Sequence, residues 1–265
     1  MMSPVVPERI HSGWYFLALA QELSGEITPL TVGRRALIAV REDERRVRVF
    51  DARCPHRGAH LGYGGRRCGD RIVCPFHGKR IALGSAKARL SVREYPTVLA
   101  GDALFFRLGA GGTDDHGFAR VIREVAQRQR LVGAVVRRVT VPTDVLVENA
   151  FDVAHFGKEI TLGPFGELTV EGELFANRFL ARAFSPSVVV TEIGPADRAS
   201  TVVTGGTPTY DGAVARVAVG TAGAGPDALD ALVHGAVPGA RYALKPGRQV
   251  VAFRRFCAMF PPLDG

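Results

Sequence analysis

Apolar and polar residues alternate with period two in a series of short stretches along this chain, which predicts strands lying on half-buried sheets. Residues 36–40 and 47–50 are two such strands, separated by the charged turn 41–46. Residues 71–74 and 103–107 repeat the pattern, so 13–107 read as a small β domain. A glycine-rich breaker (109–115) follows, then an amphipathic, basic helix over 116–130. Past Leu131 the rhythm changes. Residues 135–141 alternate, 143–156 turn helical, and strands follow at 168–173, 179–184, 188–193, 200–204 and 214–219. Asp211-Gly212 marks a hairpin turn between the last two. Residues 226–234 and 249–260 read as closing helices. The expected class is α+β: an all-β domain (1–115), a linker helix (116–131) and an antiparallel sheet with helices (132–265), helix-grip-like in arrangement.

The chain has 265 residues, 46% of them hydrophobic and 23% charged, enough to bury a real core. Its chemistry is concentrated in two short boxes. Cys54-Pro55-His56 is followed, after seventeen residues, by Cys74-Pro75-Phe76-His77. Two thiolates and two imidazoles can hold a [2Fe–2S] centre, the thiolates on one iron and the imidazoles on the other. Zinc accepts the same donors and stays the alternative, although zinc sites usually read C-x2-C with a distant H-x3-H. Here each box mixes one Cys with one His. Gly58 and Gly78 follow the boxes and allow a tight backbone path, while Pro55 and Pro75 stiffen it.

These boxes resemble the Rieske superfamily. Respiratory members carry an extra Cys in each box and a Ser past the second; this chain has Ala59, Phe76 and Lys79 at those places. Fewer hydrogen bonds to the cluster sulfurs imply the low end of the Rieske potential range, about −150 mV. The strings CPHRGAHLGYGG and DRIVCPFHGKR are similar to the Rieske non-heme iron oxygenases, alpha-subunit and steroid type.

That family implies a second site. Residues 147–156 resemble its iron-site helix, E-N-x-x-D-x-x-H-x4-H, on which two His and a late carboxylate bind a mononuclear Fe(II). Asp152 then matches the inter-subunit electron-transfer bridge and His155 the first iron ligand. The match breaks at Ile160, where the family has its second His, and Pro246-Gly247 interrupt the helix that would bring the third ligand. Glu159, four residues past His155, is a substitute ligand if the helix continues, with Asp227, Asp230 or His234 as the third. Equally, Glu159 reads as a surface carboxylate and His155 as a hydrogen-bonded relic. Mononuclear Fe(II) is thus an open question in this chain.

Net charge is +8, but the Arg residues run along the whole sequence and no nucleic-acid module accompanies them. A soluble Arg-rich surface accounts for them, with a basic face for an acidic electron donor as the other reading. No run of eighteen apolar residues predicts a membrane span, and residues 1–8 lack a secretory pattern. Cys68 and Cys257 read as free thiols of a reducing compartment, hence the cytoplasm. Two functions follow from the resemblance. One is an oxygenase hydroxylating or desaturating an apolar substrate, polycyclic ones included, fed by a reductase or ferredoxin and assembled as a homotrimer. The other is an electron-transfer or accessory subunit without its own mononuclear iron, acting in a hetero-oligomer with an intact homologue.

Overall fold

The computed structural model describes residues 10–109, 115–151, 157–174, 177–220, 248–260 and 262–263. Its first part runs β1 (Gly13–Leu19), β2 (Ile27–Val32), β3 (Arg35–Arg41), β4 (Val47–Asp51), β5 (Arg66–Cys68), β6 (Arg71–Val73), β7 (Arg80–Leu83), β8 (Ser91–Val92), β9 (Glu94–Tyr95), β10 (Thr97–Ala100) and β11 (Ala103–Leu108). These form three small sheets, in the orders β1-β11-β10, β2-β3-β4-β9 and β5-β6-β7-β8. Every residue of β1 is buried, because both of its faces meet a core. Trp14 and Phe16 point into one apolar cluster, Tyr15 and Leu17 into another. A register shift between Phe16 and Ala18 turns the strand, so that Leu19 rejoins the first cluster.

Helix α1 (Phe118–Arg128) carries Phe118, Val121, Ile122 and Val125 at helical spacing, and all four are buried against Trp14, Phe105 and Phe184. It begins later than the sequence pattern predicts. Gly117, in the left-handed region at φ 74°, turns the chain into the first helical residue.

The second part is a seven-stranded antiparallel sheet. Its elements are β12 (Val132–Val139), helix α2 (Thr143–Glu148), β13 (Gly157–Leu162), β14 (Leu168–Leu174), β15 (Asn177–Ser185), β16 (Val188–Ile193), β17 (Ser200–Thr209), β18 (Gly212–Gly220) and helix α3 (Arg248–Cys257). The order β12-β18-β17-β16-β15-β14-β13 is a meander closed at one edge by the first strand. The α+β expectation holds, and all five predicted strands are present. The hairpin turn lies at Tyr210-Asp211, since Gly212 already pairs with Thr209. Helices α2 and α3 cover one face: Val147, Phe151, Phe253 and Phe256 bury Val170, Phe179 and Ala181, and Arg254 grips Glu148 with two hydrogen bonds at 2.7 and 2.9 Å.

One expectation is corrected here. The helix predicted over 143–156 stops at Glu148, a 3-10 turn (Asn149–Phe151) follows, and the chain is extended again from Gly157. Three of the six residues from 157 to 162 are β-branched or Leu, and their pairing with β14 outweighs the helical pattern read from the residues before them. The helix predicted at 226–234 lies outside the described residues. Among those described, no helix is long and apolar enough to cross a membrane.

Candidate metal centre

The two Cys–His boxes lie on loops that follow strands of two different small sheets. The first follows β4; the second joins β6 to β7. Both are built on the same two backbone bonds. Cys54 N–H donates to the Ala59 carbonyl at 2.8 Å, and Gly58 N–H returns to the Cys54 carbonyl at 2.8 Å. In the second loop Cys74 N–H donates to Lys79 at 2.8 Å and Gly78 N–H returns to Cys74 at 3.0 Å. Gly58 and Gly78 sit at φ 75° and 64°, a conformation that side-chain-bearing residues rarely adopt. The repeated Cys-Pro-x-x-Gly pattern encodes this shared geometry and could have been found in the sequence as an internal repeat.

Burial divides the four donors. Cys54 and Cys74 are only 3% and 2% exposed, set among Ile38, Phe50, Leu61, Ile72 and Ile81. His56 and His77 stand in solvent at the loop rims, their rings 5.0 Å apart and steeply inclined. Phe76 packs edge-on against His77 at 4.5 Å. Desolvation first, and then the positive charge of His77, Arg57 and Lys79, holds the His56 imidazole below its ordinary pKa. That favours the neutral form, the one that ligates. His60, which the sequence reading passed over, braces the first loop: its Nδ1 accepts the Gly62 N–H at 3.1 Å and its ring lies on Tyr63 at 4.4 Å.

The donor set fits a two-iron cluster. Two thiols at a dry base and two imidazoles at a wet rim can each serve one iron.

The family model described as the Rieske [2Fe-2S] domain matches residues 13–96. Residues 13–96 are a Rieske domain. Among curated proteins the chain is 37% identical over 73 residues to cholesterol 7-desaturase of Drosophila melanogaster (27% of this chain, 17% of that protein). It is 25% identical over 169 residues to cholesterol 7-desaturase of Caenorhabditis elegans (58% and 39%). The chain thus spans well under half the length of these relatives. Apo dicamba monooxygenase has the same fold, with a TM-score of 0.68 at 19% identity over 96% of this chain and 97% of that one. Homologues and structural neighbours of the chain are Rieske oxygenases.

The second site lies mostly outside the described residues. Asp152, His155, Asp227, Asp230 and His234 lie outside the described residues. Glu159 and Ile160 are on β13, opposite Glu171 and Val170 of β14. The shared helical face invoked for Glu159 and His155 therefore does not exist, because a strand places neighbours by period two. Ile160 packs against the apolar cluster beneath α2 and α3. Cys68, at the tip of the β5–β6 hairpin, and Cys257 carry free thiols.

Proposed function

We propose that this chain is the Rieske component of an oxygenase, passing single electrons from a reductase or ferredoxin toward hydroxylation or desaturation of an apolar substrate. The observation that carries this is the paired loop: two buried thiols and two exposed imidazoles on one repeated backbone frame, joined to a sheet domain of oxygenase type. When bound, a [2Fe–2S] cluster takes up and returns one electron at a time. Cys54 and Cys74 would anchor it in the dry core, and His56 and His77 would present its outer iron to a partner. Likeness to cholesterol 7-desaturases supports an apolar, polycyclic substrate.

A second reading rests on Ile160. An apolar strand residue stands where the family places an iron-binding His, which favours an accessory subunit that relays electrons to an intact homologue. Iron and acid-labile sulfide per anaerobically purified chain, before and after Fe(II) addition and desalting, test both. Two irons and two sulfides, unchanged by Fe(II), select the accessory subunit; a third retained iron selects the autonomous oxygenase. Absence of labile sulfide overturns the proposal.

A further inference from the structure

The brace at His60 reaches beyond its own loop. With both thiolates on one iron and both imidazoles on the other, each iron draws one donor from each loop, so loop spacing governs both. Yet no backbone hydrogen bond joins 54–59 to 74–79, because the frame of each loop closes on itself. Apart from the facing rings of His56 and His77, the first loop meets the second through the turn that His60 opens. The His60 carbonyl accepts the Tyr63 N–H at 3.4 Å, and the Leu61 N–H is fixed on the Ala52 carbonyl at 2.8 Å. Gly64 then lies against the second loop. A Cβ there would stand 3.4 Å from Cβ of Pro75, the residue between Cys74 and Phe76.

His60 holds that turn at its tightest point. A Cβ on Gly62 would stand 3.0 Å from His60 Cε1, Ile38 Cγ2 and Pro29 Cβ alike. The Gly62 N–H lies outside any strand and donates to His60 Nδ1 at 3.1 Å. An imidazole nitrogen accepts only while unprotonated, with the ring proton on Nε2. Burial first, and then the charge of Arg53, hold His60 below its ordinary pKa, which keeps that acceptor available at neutral pH. Arg53, its bridge partner, and Tyr63, whose ring packs at 4.4 Å, are the ionisable groups beside the imidazole. Pro29 and Ile38, which wedge the turn from β2 and β3, bring none.

We propose that His60 is a positioning residue for both metal loops: Nδ1 holds the 60–65 turn, the turn sets the spacing of the loops, and a proton on Nδ1 releases it. This rests on the Rieske reading above and gives a role to a side chain outside the donor set. The brace is complete at neutral pH and is lost as pH falls through the lowered His60 value. Acid thus loosens the centre by a route separate from protonation of its ligands.

The test compares His60→Asn with His60→Leu in the iron-loaded chain. The two side chains have nearly the same shape, but Asn Oδ1 takes the place of Nδ1 and accepts without titrating, whereas Leu accepts nothing. Visible absorbance is followed after a ferrous chelator is added under reducing conditions. At about pH 7.5 the Asn variant should match the parent, and the Leu variant should bleach about three- to tenfold faster, the factor for one hydrogen bond. Toward about pH 5 all three bleach faster through His56 and His77, but the parent should approach the Leu variant while the Asn variant keeps its lead. A Leu variant that bleaches like the parent, an Asn variant that bleaches like Leu, or a parent-to-Asn ratio constant with pH would each overturn the proposal. Hydrogen exchange over 61–65 and 74–78 needs no cluster, and both segments should exchange faster in the Leu variant than in the Asn variant. A parent chain without labile sulfide overturns the Rieske reading; exchange unchanged at 74–78 overturns the reach of His60 to the second loop.

Discussion

Arg216 on β18 and Glu22, 194 residues earlier, form a two-pronged salt bridge, Nε to Oε2 at 2.7 Å and Nη2 to Oε1 at 2.8 Å. It ties the large sheet to the Rieske part, alongside the Gly33 N–H bond to the Pro208 carbonyl at 2.9 Å. Arg216 also donates to Thr207 Oγ1 and the Phe16 carbonyl, and Glu22 accepts the Leu19 N–H. The guanidinium is thus satisfied on every side while almost wholly buried.

The two partners are not equally buried: the Arg216 side chain is 6% exposed and that of Glu22 is 24%. Removing the acid strands a charge that cannot reach water, whereas removing the base lets Glu22 turn outward. Glu22→Ala should therefore cost about 3–5 kcal/mol and Arg216→Ala distinctly less. The double variant should cost less than the sum. Urea midpoints of the three proteins check this; equal and additive losses would show that the pair does not couple the two parts.

The metal loops yield a contrast between glycines. A Cβ on Gly58 or Gly78 meets no atom within 4 Å, so alanine there suffers only the left-handed backbone, about 1 kcal/mol. Both variants should keep the visible spectrum. Gly65 has no such strain, but its Cβ would drive into the Leu61 carbonyl oxygen at the end of the first loop. Gly65→Ala should lose cluster absorbance although it lies eleven residues from Cys54. Absorbance per chain and Tm separate the two cases.

Much of this was legible in the sequence. Alternation found all five later strands because each has one face on a core, and the donor boxes were visible because ligand chemistry permits few residue types. The stretch after Phe151 was misread, since helical periodicity before it says nothing of the β14 edge waiting to pair. Arg216–Glu22 carries no local signal, as its partners meet only once the chain has folded.

Alkaline pH should reveal Tyr95. Burial first, then its hydrogen bond at 2.8 Å to Asp51 and that group's charge, push its hydroxyl up to about 12. The folded state therefore holds the proton more tightly than the unfolded chain, where a tyrosine titrates near 10. Its contribution is fully present below about pH 10 and is lost as pH rises to about 12, on the order of 2 kcal/mol. Tyr95→Phe should be less stable at neutral pH by about 1 kcal/mol and should lose less stability than the parent over that alkaline window. Parallel pH–stability curves for the two proteins would exclude this account.

Ligand loss and metal loss should act alike. Cys54 and Cys74 lie in a core with Ile72 and Leu61 fully buried, so loss of a thiolate removes the cluster's anchor and leaves a hole at its dry base. Cys54→Ala and His77→Ala should each abolish the visible spectrum and lower Tm, as should removal of iron by a chelator after reduction. A native spectrum in either variant would dismiss the ligand assignment.

Ile160→His asks whether one residue separates this chain from a complete iron site. Ile160 faces the apolar cluster of Phe151, Val170 and Phe253 from the edge strand, opposite Val170. An imidazole there loses packing and meets no carboxylate on the paired strand position, so the variant should be less stable by about 1–2 kcal/mol. It should retain no additional Fe(II) after desalting, because a facial site needs three donors and this change supplies one. Full occupancy by a third iron would mean that the other two ligands are already in place and that the third ligand has been misplaced. The substitution complements metal analysis of the parent chain: it asks whether the site can be restored, where the parent analysis asks whether it was ever lost.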